Sequence, residues 1–327
     1  MTDVRRFNTG LIYFIVLIAL TLVRVIFALD IGKHWTDNEN DIIYTMISQI
    51  ICMGLLPFGL YIFLVIRKEK RSSFDIFKDF AYTMPYVKVV LIAFVSGIIF
   101  YYLTFGIASI WTGIITFFGY TGISSPGTIY TKPEELILWL FIIAVLPSVF
   151  EELTHRGLLI NTYLKSSEEE AVIFSALLFG LMHQDIRQFG YAIAGGVILA
   201  YFFVKSRSIL PPMIMHFTNN ALNTIMDYSS QTGGLMGKIQ DKFFGLFDNI
   251  FMILILMVTW IVAAFILFFL LISVDIITAQ KNGTNPTWKI HFNYKKFKFN
   301  KDDTFLYAAI ILGGVTTLFS YIWSVMR

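Results

Sequence analysis

Charge is scarce in this sequence. Asp, Glu, Lys and Arg make up 14% of its 327 residues, 57% are hydrophobic, and the mean hydropathy is +0.70. A soluble globular domain is about 45–50% apolar and about 25% charged. The excess runs the length of the chain, so one large buried core cannot absorb it, and a soluble protein is excluded. Cysteine is scarcer still: Cys52 stands alone in an apolar run, which rules out a disulfide framework within the chain. The net charge of +3 leaves no basic surface for nucleic acid. No internal repeat or low-complexity tract stands out. The basic start and apolar run of "MTDVRRFNTGLIYFIVLIALTLVRVIFAL" resemble a signal peptide, yet the run is long and lacks an A-x-A-like cleavage site. A retained anchor is expected.

What is abundant is hydrophobic helix. About 20 apolar residues cross the hydrocarbon of a bilayer. Runs of that kind lie at Leu11–Leu29, Ile42–Ile66, Val89–Phe118, Leu136–Tyr163, Ala171–His183, Tyr191–Val204, Leu210–Ile225, Ile250–Val274 and Phe305–Val325. The expected fold is an all-α, polytopic membrane helix bundle of about nine transmembrane helices, eight being the next count. The third run is long enough to hold two short spans. Basic residues decide against splitting it, because cytoplasmic loops carry an excess of Lys and Arg. With one span there and a cytoplasmic N-terminus, the inner segments hold sixteen basic residues and the outer ones six. The inner set is Arg5 and Arg6, five between 67 and 78, Lys165, Lys205 and Arg207, and six lysines from 281 to 301. The stretch 275–303 reads as a basic cytoplasmic loop that marks topology and touches the lipid surface.

Ionisable side chains inside spans cost at least about 2.5–3.5 kcal/mol each, so each needs a reason. Arg24 and Lys88 lie near span ends, where snorkelling suffices. Three other places differ. In "FEELTHRGLL", Glu152 and Arg156 are four apart on one helix face and can neutralise each other. Glu151, turned about 100° away, is left free of that pair. In "FSALLFGLMHQ", His183 ends an apolar run one turn after Phe179. In "PPMIMHFTNNALN", His216 and Asn220 share a face. At a rise of about 1.5 Å per residue, Glu151, His183 and His216 fall in one band between the cytoplasmic face and slightly past the midplane. They are expected to converge with Asn220 on one water-accessible cavity opening toward the cytoplasm.

A carboxylate, two imidazoles and an amide can activate a water and stabilise an oxyanion. No G-x-S-x-G serine motif is present, and Cys52 has no basic neighbour. Two His and one Glu also form a known zinc set, but the H-E-x-x-H spacing is absent. The three motifs in order, E-E-x-x-x-R (Glu151, Glu152, Arg156), F-x-x-x-H (Phe179, His183) and H-x-x-x-N (His216, Asn220), resemble the CAAX protease and bacteriocin-processing (CPBP, or Abi) family of intramembrane proteases. Arg156-Gly157 and "SRSILPPMIMHFTNN" extend the resemblance, which covers about Leu136 to Asn223. It divides the chain into N-terminal helices (1–130), a CPBP core (131–230) and C-terminal helices with the basic loop (231–327).

The resemblance implies an intramembrane endopeptidase. Glu151 corresponds to the water-activating glutamate, His183 and His216 assist catalysis, Asn220 helps form the oxyanion hole, and Arg156 positions. Such enzymes are described both as metalloproteases and as metal-free glutamate enzymes. We expect no required cofactor; a zinc ion, if used, would take Glu151, His183 and His216. His155 departs from the aromatic residue common in relatives, and either perturbs Glu151 or simply fills that slot. The rival functions are a proton-coupled transporter and a non-catalytic scaffold or bacteriocin-immunity protein. The expected partners are the lipid bilayer and a membrane protein or peptide substrate. Abundant Ile, Phe, Lys and Asn suit an AT-rich bacterial genome and a bacterial plasma membrane. A reporter fused after Lys301 is expected to read as cytoplasmic; an extracellular signal would overturn the charge-based topology.

Overall fold

The computed structural model describes residues 4–29, 36–72, 74, 84–122, 130, 132–164, 167–246, 249–286 and 300–326. Lys33, Lys78, Lys165, Arg327 and the centre of the expected basic loop (287–299) lie outside the described residues. Among the described residues the chain is helical, with no strand. Each of the nine apolar runs lies in a helix: α1 (Val4–Ala28), α2 (Asn38–Ile66), α3 (Val87–Phe117), α4 (Pro133–Tyr163), α5 (Glu168–Met182), α6 (Ile186–Ser206), α7 (Leu210–Gln231), α9 (Ile250–Asn282) and α10 (Thr304–Val325). The third run is one continuous helix. A further short helix, α8 (Leu235–Gly245), was not expected. The chain is a multi-pass membrane protein: seven of these helices, α1, α2, α3, α4, α6, α9 and α10, are long and apolar enough to cross a bilayer.

The two runs that miss that standard carry the histidines. α5 has only 15 residues, and α7 is interrupted by Asn219, Asn220, Asn223 and Asp227. Both are polar or short because they face protein rather than lipid. The basic loop is also shorter than expected: α9 continues through Asp275 to Asn282, where Gly283 adopts the left-handed conformation (φ 62°) that ends a helix without Cβ strain.

The helices alternate in direction. α1, α3, α5, α7 and α10 begin at one end of the bundle, and α2, α4, α6 and α9 finish there. Buried polar contacts knit that end. Arg6 of α1 holds Asp303, just before α10, at 2.6 Å and Glu170 of α5 at 3.3 Å, while Tyr163 closing α4 donates to Asp303 at 2.7 Å. Lys205 near the end of α6 pairs with Glu168 opening α5 at 3.0 Å, and Lys281 reaches the Met84 carbonyl ahead of α3. The Arg67–Arg71 turn, Arg207 and Lys301 lie at this same end, so we refer to it as the basic end.

Inside hydrocarbon, a backbone carbonyl without a donor is costly, and proline creates one by removing an N–H from the following turn. Pro57 in α2 leaves the Met53 carbonyl one turn back; the Thr154 hydroxyl of α4 donates to it at 2.9 Å. Tyr13 of α1 in turn donates to the Thr154 carbonyl at 2.9 Å. α3 and α7 approach closely at Gly97, where an added Cβ would stand 2.6 Å from the Thr218 Cβ and 2.8 Å from the Met215 carbonyl. Small residues at such crossings let membrane helices pack. Gly97→Ala is therefore expected to cost about 1–3 kcal/mol by overpacking, read as a lower unfolding temperature of the purified protein in detergent. An unchanged temperature would show that this crossing is slack.

Candidate active site

Consecutive residues on a helix point about 100° apart, and the two glutamates divide accordingly. Glu152 is fully buried and Glu151 nearly so. Immediately after them, over Leu153–Ile160, α4 widens into i→i−5 turns, a local geometry common at functional sites. The Glu152 Oε1 atom accepts from Arg156 Nη1 at 3.1 Å and from His216 Nδ1 at 2.9 Å. Arg156 is also fully buried; its Nη2 donates to the Gly196 carbonyl of α6 at 3.0 Å, and its guanidinium lies 4.8 Å over the Phe179 ring. The pair expected from the four-residue spacing thus forms, and it also fixes His216.

Glu151, His183, His216 and Asn220 all line one cavity of about 590 Å³. Glu152 and Arg156 are not part of its lining but stand behind it. Gln49 of α2 donates to Glu151 Oε1 at 2.7 Å, and Glu151 Oε2 lies 4.0 Å from His216 Nε2. His183 Nδ1 is 2.7 Å from the Phe179 carbonyl, which can only accept. That nitrogen therefore carries the proton, and Nε2 of the neutral ring is an acceptor. The Glu152 carboxylate imposes the same tautomer on neutral His216. The Phe179 ring packs edge-on against His183 at 5.3 Å and His216 at 5.7 Å, which holds both imidazoles by contact.

Asn220 has a second task. Pro147 has no N–H to offer the Ile143 carbonyl one turn before it, and Asn220 Nδ2 donates there at 2.9 Å. Asn219 Nδ2 donates to Asn220 Oδ1 at 3.0 Å. An amide nitrogen carries two hydrogens, so one N–H of Asn220 is left for the cavity.

Two expectations are corrected here. Arg24 does more than snorkel: it donates to the carbonyls of His183 (3.3 Å) and Gln184, closing the C-terminal end of α5. Gln184 is left-handed (φ 51°) and donates to Thr21, and Trp111 holds the Ile186 carbonyl. The turn after His183 is thus tied to α1 and α3. The cavity also does not open toward the basic end. At that side its lining, Leu199 and Met215, is buried at 4% and 1% exposure. Moving away from the basic end, the lining becomes half-buried at Gln188 and Tyr191 of α6 and at Thr104 and Ala108 of α3, and exposed at Asn223 of α7.

His155 resolves differently from Glu151. It is buried against Phe179 (5.2 Å) and Tyr13 (5.6 Å), outside the cavity lining, and fills a packing slot. Sequence reasoning missed Gln49, a single amide in the apolar run "ISQIICMGLL", and Asn219, which lies off the helix face that His216 and Asn220 share. Among the described residues, no three His, Cys, Asp or Glu side chains are gathered so as to hold a metal ion. The chemistry below uses none.

Residues 133–222, from the start of α4 to the middle of α7, match the family model described as type II CAAX prenyl endopeptidase Rce1-like. The segment is Rce1-like. It holds every motif residue from Glu151 to Asn220. No curated protein and no solved structure matches the chain. Gln49, Arg24 and the α3 wall lie outside the Rce1-like segment, so part of the site's surroundings is supplied by the flanking helices.

Removing Arg156 alone leaves a buried carboxylate with too few donors, which costs about 3–5 kcal/mol for a buried pair. Arg156→Met is expected to lower the unfolding temperature sharply, and Glu152→Met added to it should recover part of the loss. An equally unstable double variant would show that packing against Phe179, not charge compensation, is what Arg156 provides.

Proposed function

We propose that the protein is an intramembrane protease in which Glu151 activates a water that attacks a peptide carbonyl. The observation that carries this is the single cavity shared by Glu151, His183, His216 and Asn220. Glu151 suits the base: Gln49 fixes its Oε1, and Oε2 remains directed to the space beside His216. A water between Glu151 and the acceptor Nε2 of His183 would have both hydrogens engaged and a lone pair free for attack.

The water oxygen bonds to the carbonyl carbon and one of its protons passes to Glu151. The carbonyl oxygen takes the electron pair of its π bond and becomes an oxyanion, which the spare N–H of Asn220 stabilises; one such donor is worth about 10²–10³ in rate. Collapse of the tetrahedral intermediate breaks the C–N bond. The departing nitrogen takes its proton from Glu151, now an acid. Glu152 and Arg156 act through His216 and through α4 rather than on the substrate. The substrate class is a membrane-embedded protein or peptide, and the basic end of the bundle faces the cytoplasm.

Glu151→Gln is expected to abolish cleavage of a membrane substrate, by at least about 10³-fold, while the protein folds normally. Wild-type protein dialysed exhaustively against a strong zinc chelator should retain activity. Complete loss restored by stoichiometric zinc would replace the glutamate mechanism with a metal one, and full activity of Glu151→Gln would favour a scaffold.

A further inference from the structure

The lining of the catalytic cavity changes in two ways along the bundle axis. It goes from closed to open away from the basic end, as described for α3, α6 and α7, and α4 follows the same course, from Glu151 and Pro147, which are buried, to half-buried Ile143. It also gains neutral polar groups. Leu199 and Met215 form the floor beside His216, whereas Thr45, Gln49, Thr104, Gln188 and Asn223 stand among apolar Phe105, Ala108 and Ile143 on the side toward the mouth. Among the described lining residues Glu151 is the one carboxylate, and no Lys or Arg joins it. Beside this mouth lies α8, whose Phe243 packs on Phe105 and Tyr102 of α3 at 5.8 and 5.9 Å. Leu235, Met236 and Ile239 are exposed on α8, on the side away from Asp241, which is how a helix lies in the membrane surface.

The mouth and the basic loops are therefore at opposite ends. Lys and Arg loops stay on the cytoplasmic side. We infer that substrate reaches Glu151 from the extracytoplasmic face, as an uncharged stretch of polypeptide whose amides and neutral side chains pair with the Thr, Asn and Gln lining. A charged side chain entering that lining would lose its hydration with no opposite charge to meet it other than Glu151. The claim rests on the hydrolytic role proposed for the cavity, but its test does not.

Cys52 is the sole cysteine and is buried, so Cys52→Ala gives a background for single reporters. Gln188→Cys and Asn223→Cys sample the mouth, and Lys281→Cys samples the basic end. Each full-length protein is treated with a membrane-impermeant maleimide, in intact cells and in inverted membrane vesicles. Both mouth cysteines should label in intact cells and be shielded in inverted vesicles, with Lys281→Cys showing the reverse. Labelling of mouth and basic end from the same face would overturn the inference, as would a mouth that labels only in inverted vesicles. Mouth cysteines that react only after unfolding in SDS would also overturn it. Two mouth positions keep the test decisive if one variant fails to reach the membrane. Repeating it on Glu151→Gln separates the two claims: the labelling pattern should be unchanged there, whatever that variant does to cleavage. For the substrate chemistry, a neutral Leu/Ser peptide should slow labelling of purified Asn223→Cys at least tenfold more than its Asp- or Lys-substituted counterparts. Equal protection by all three would overturn the neutral-peptide assignment.

Discussion

One fully buried carboxylate organises this molecule. Glu152 sits in the middle of a membrane helix, where an uncompensated charge is not tolerated, and a single oxygen of it collects Arg156 and His216. Satisfying it has consequences on three helices. Arg156 is drawn inward to Glu152 and then reaches the Gly196 carbonyl on α6. His216 is held on α7 with a defined tautomer. Glu151, the next residue in the chain, is left lining the cavity, with Gln49 and the distal nitrogen of His216 beside it. The reactive carboxylate is thus positioned by its neighbour's need for partners.

The same accounting applies to the backbone. Two prolines in membrane helices free two carbonyls, and each is met by a side chain from another helix: Met53 by Thr154, Ile143 by Asn220. A third set, at the C-terminal end of α5, is met by Arg24. Each of these contacts locks a pair of helices at a fixed register. Two of them lie at the walls of the cavity, so the demand for donors in hydrocarbon also makes the site rigid. Rigidity of that kind is what a preplaced base and oxyanion donor require.

Phe179 links these features without any polar atom of its own side chain. Its ring touches both catalytic-cavity histidines, His155 and the Arg156 guanidinium, and its carbonyl sets the His183 tautomer. It was legible in the sequence only as a motif position one turn before a histidine. Its role as the common packing partner comes from α4, α5 and α7 meeting there.

The sequence by itself determined the class of the protein, the helices and the cluster of unusual residues. Those depend on composition and on helical periodicity, which are local. Hence the nine runs, the Glu152–Arg156 pair and the grouping of Glu151, His183, His216 and Asn220 were legible from spacing and depth. Tertiary structure decided what spacing cannot carry. Which imidazole nitrogen bears a proton depends on Phe179 and Glu152 across helix boundaries. Arg24, assigned to snorkelling by its place near a span end, turned out to serve a break in α5 far away in the chain. Gln49 gave no periodic signal because its partner, Glu151, is on another helix. The side on which the cavity opens was misjudged for the same reason: depth along one helix fixes a level in the bundle, whereas an opening is set by how several helices diverge around it.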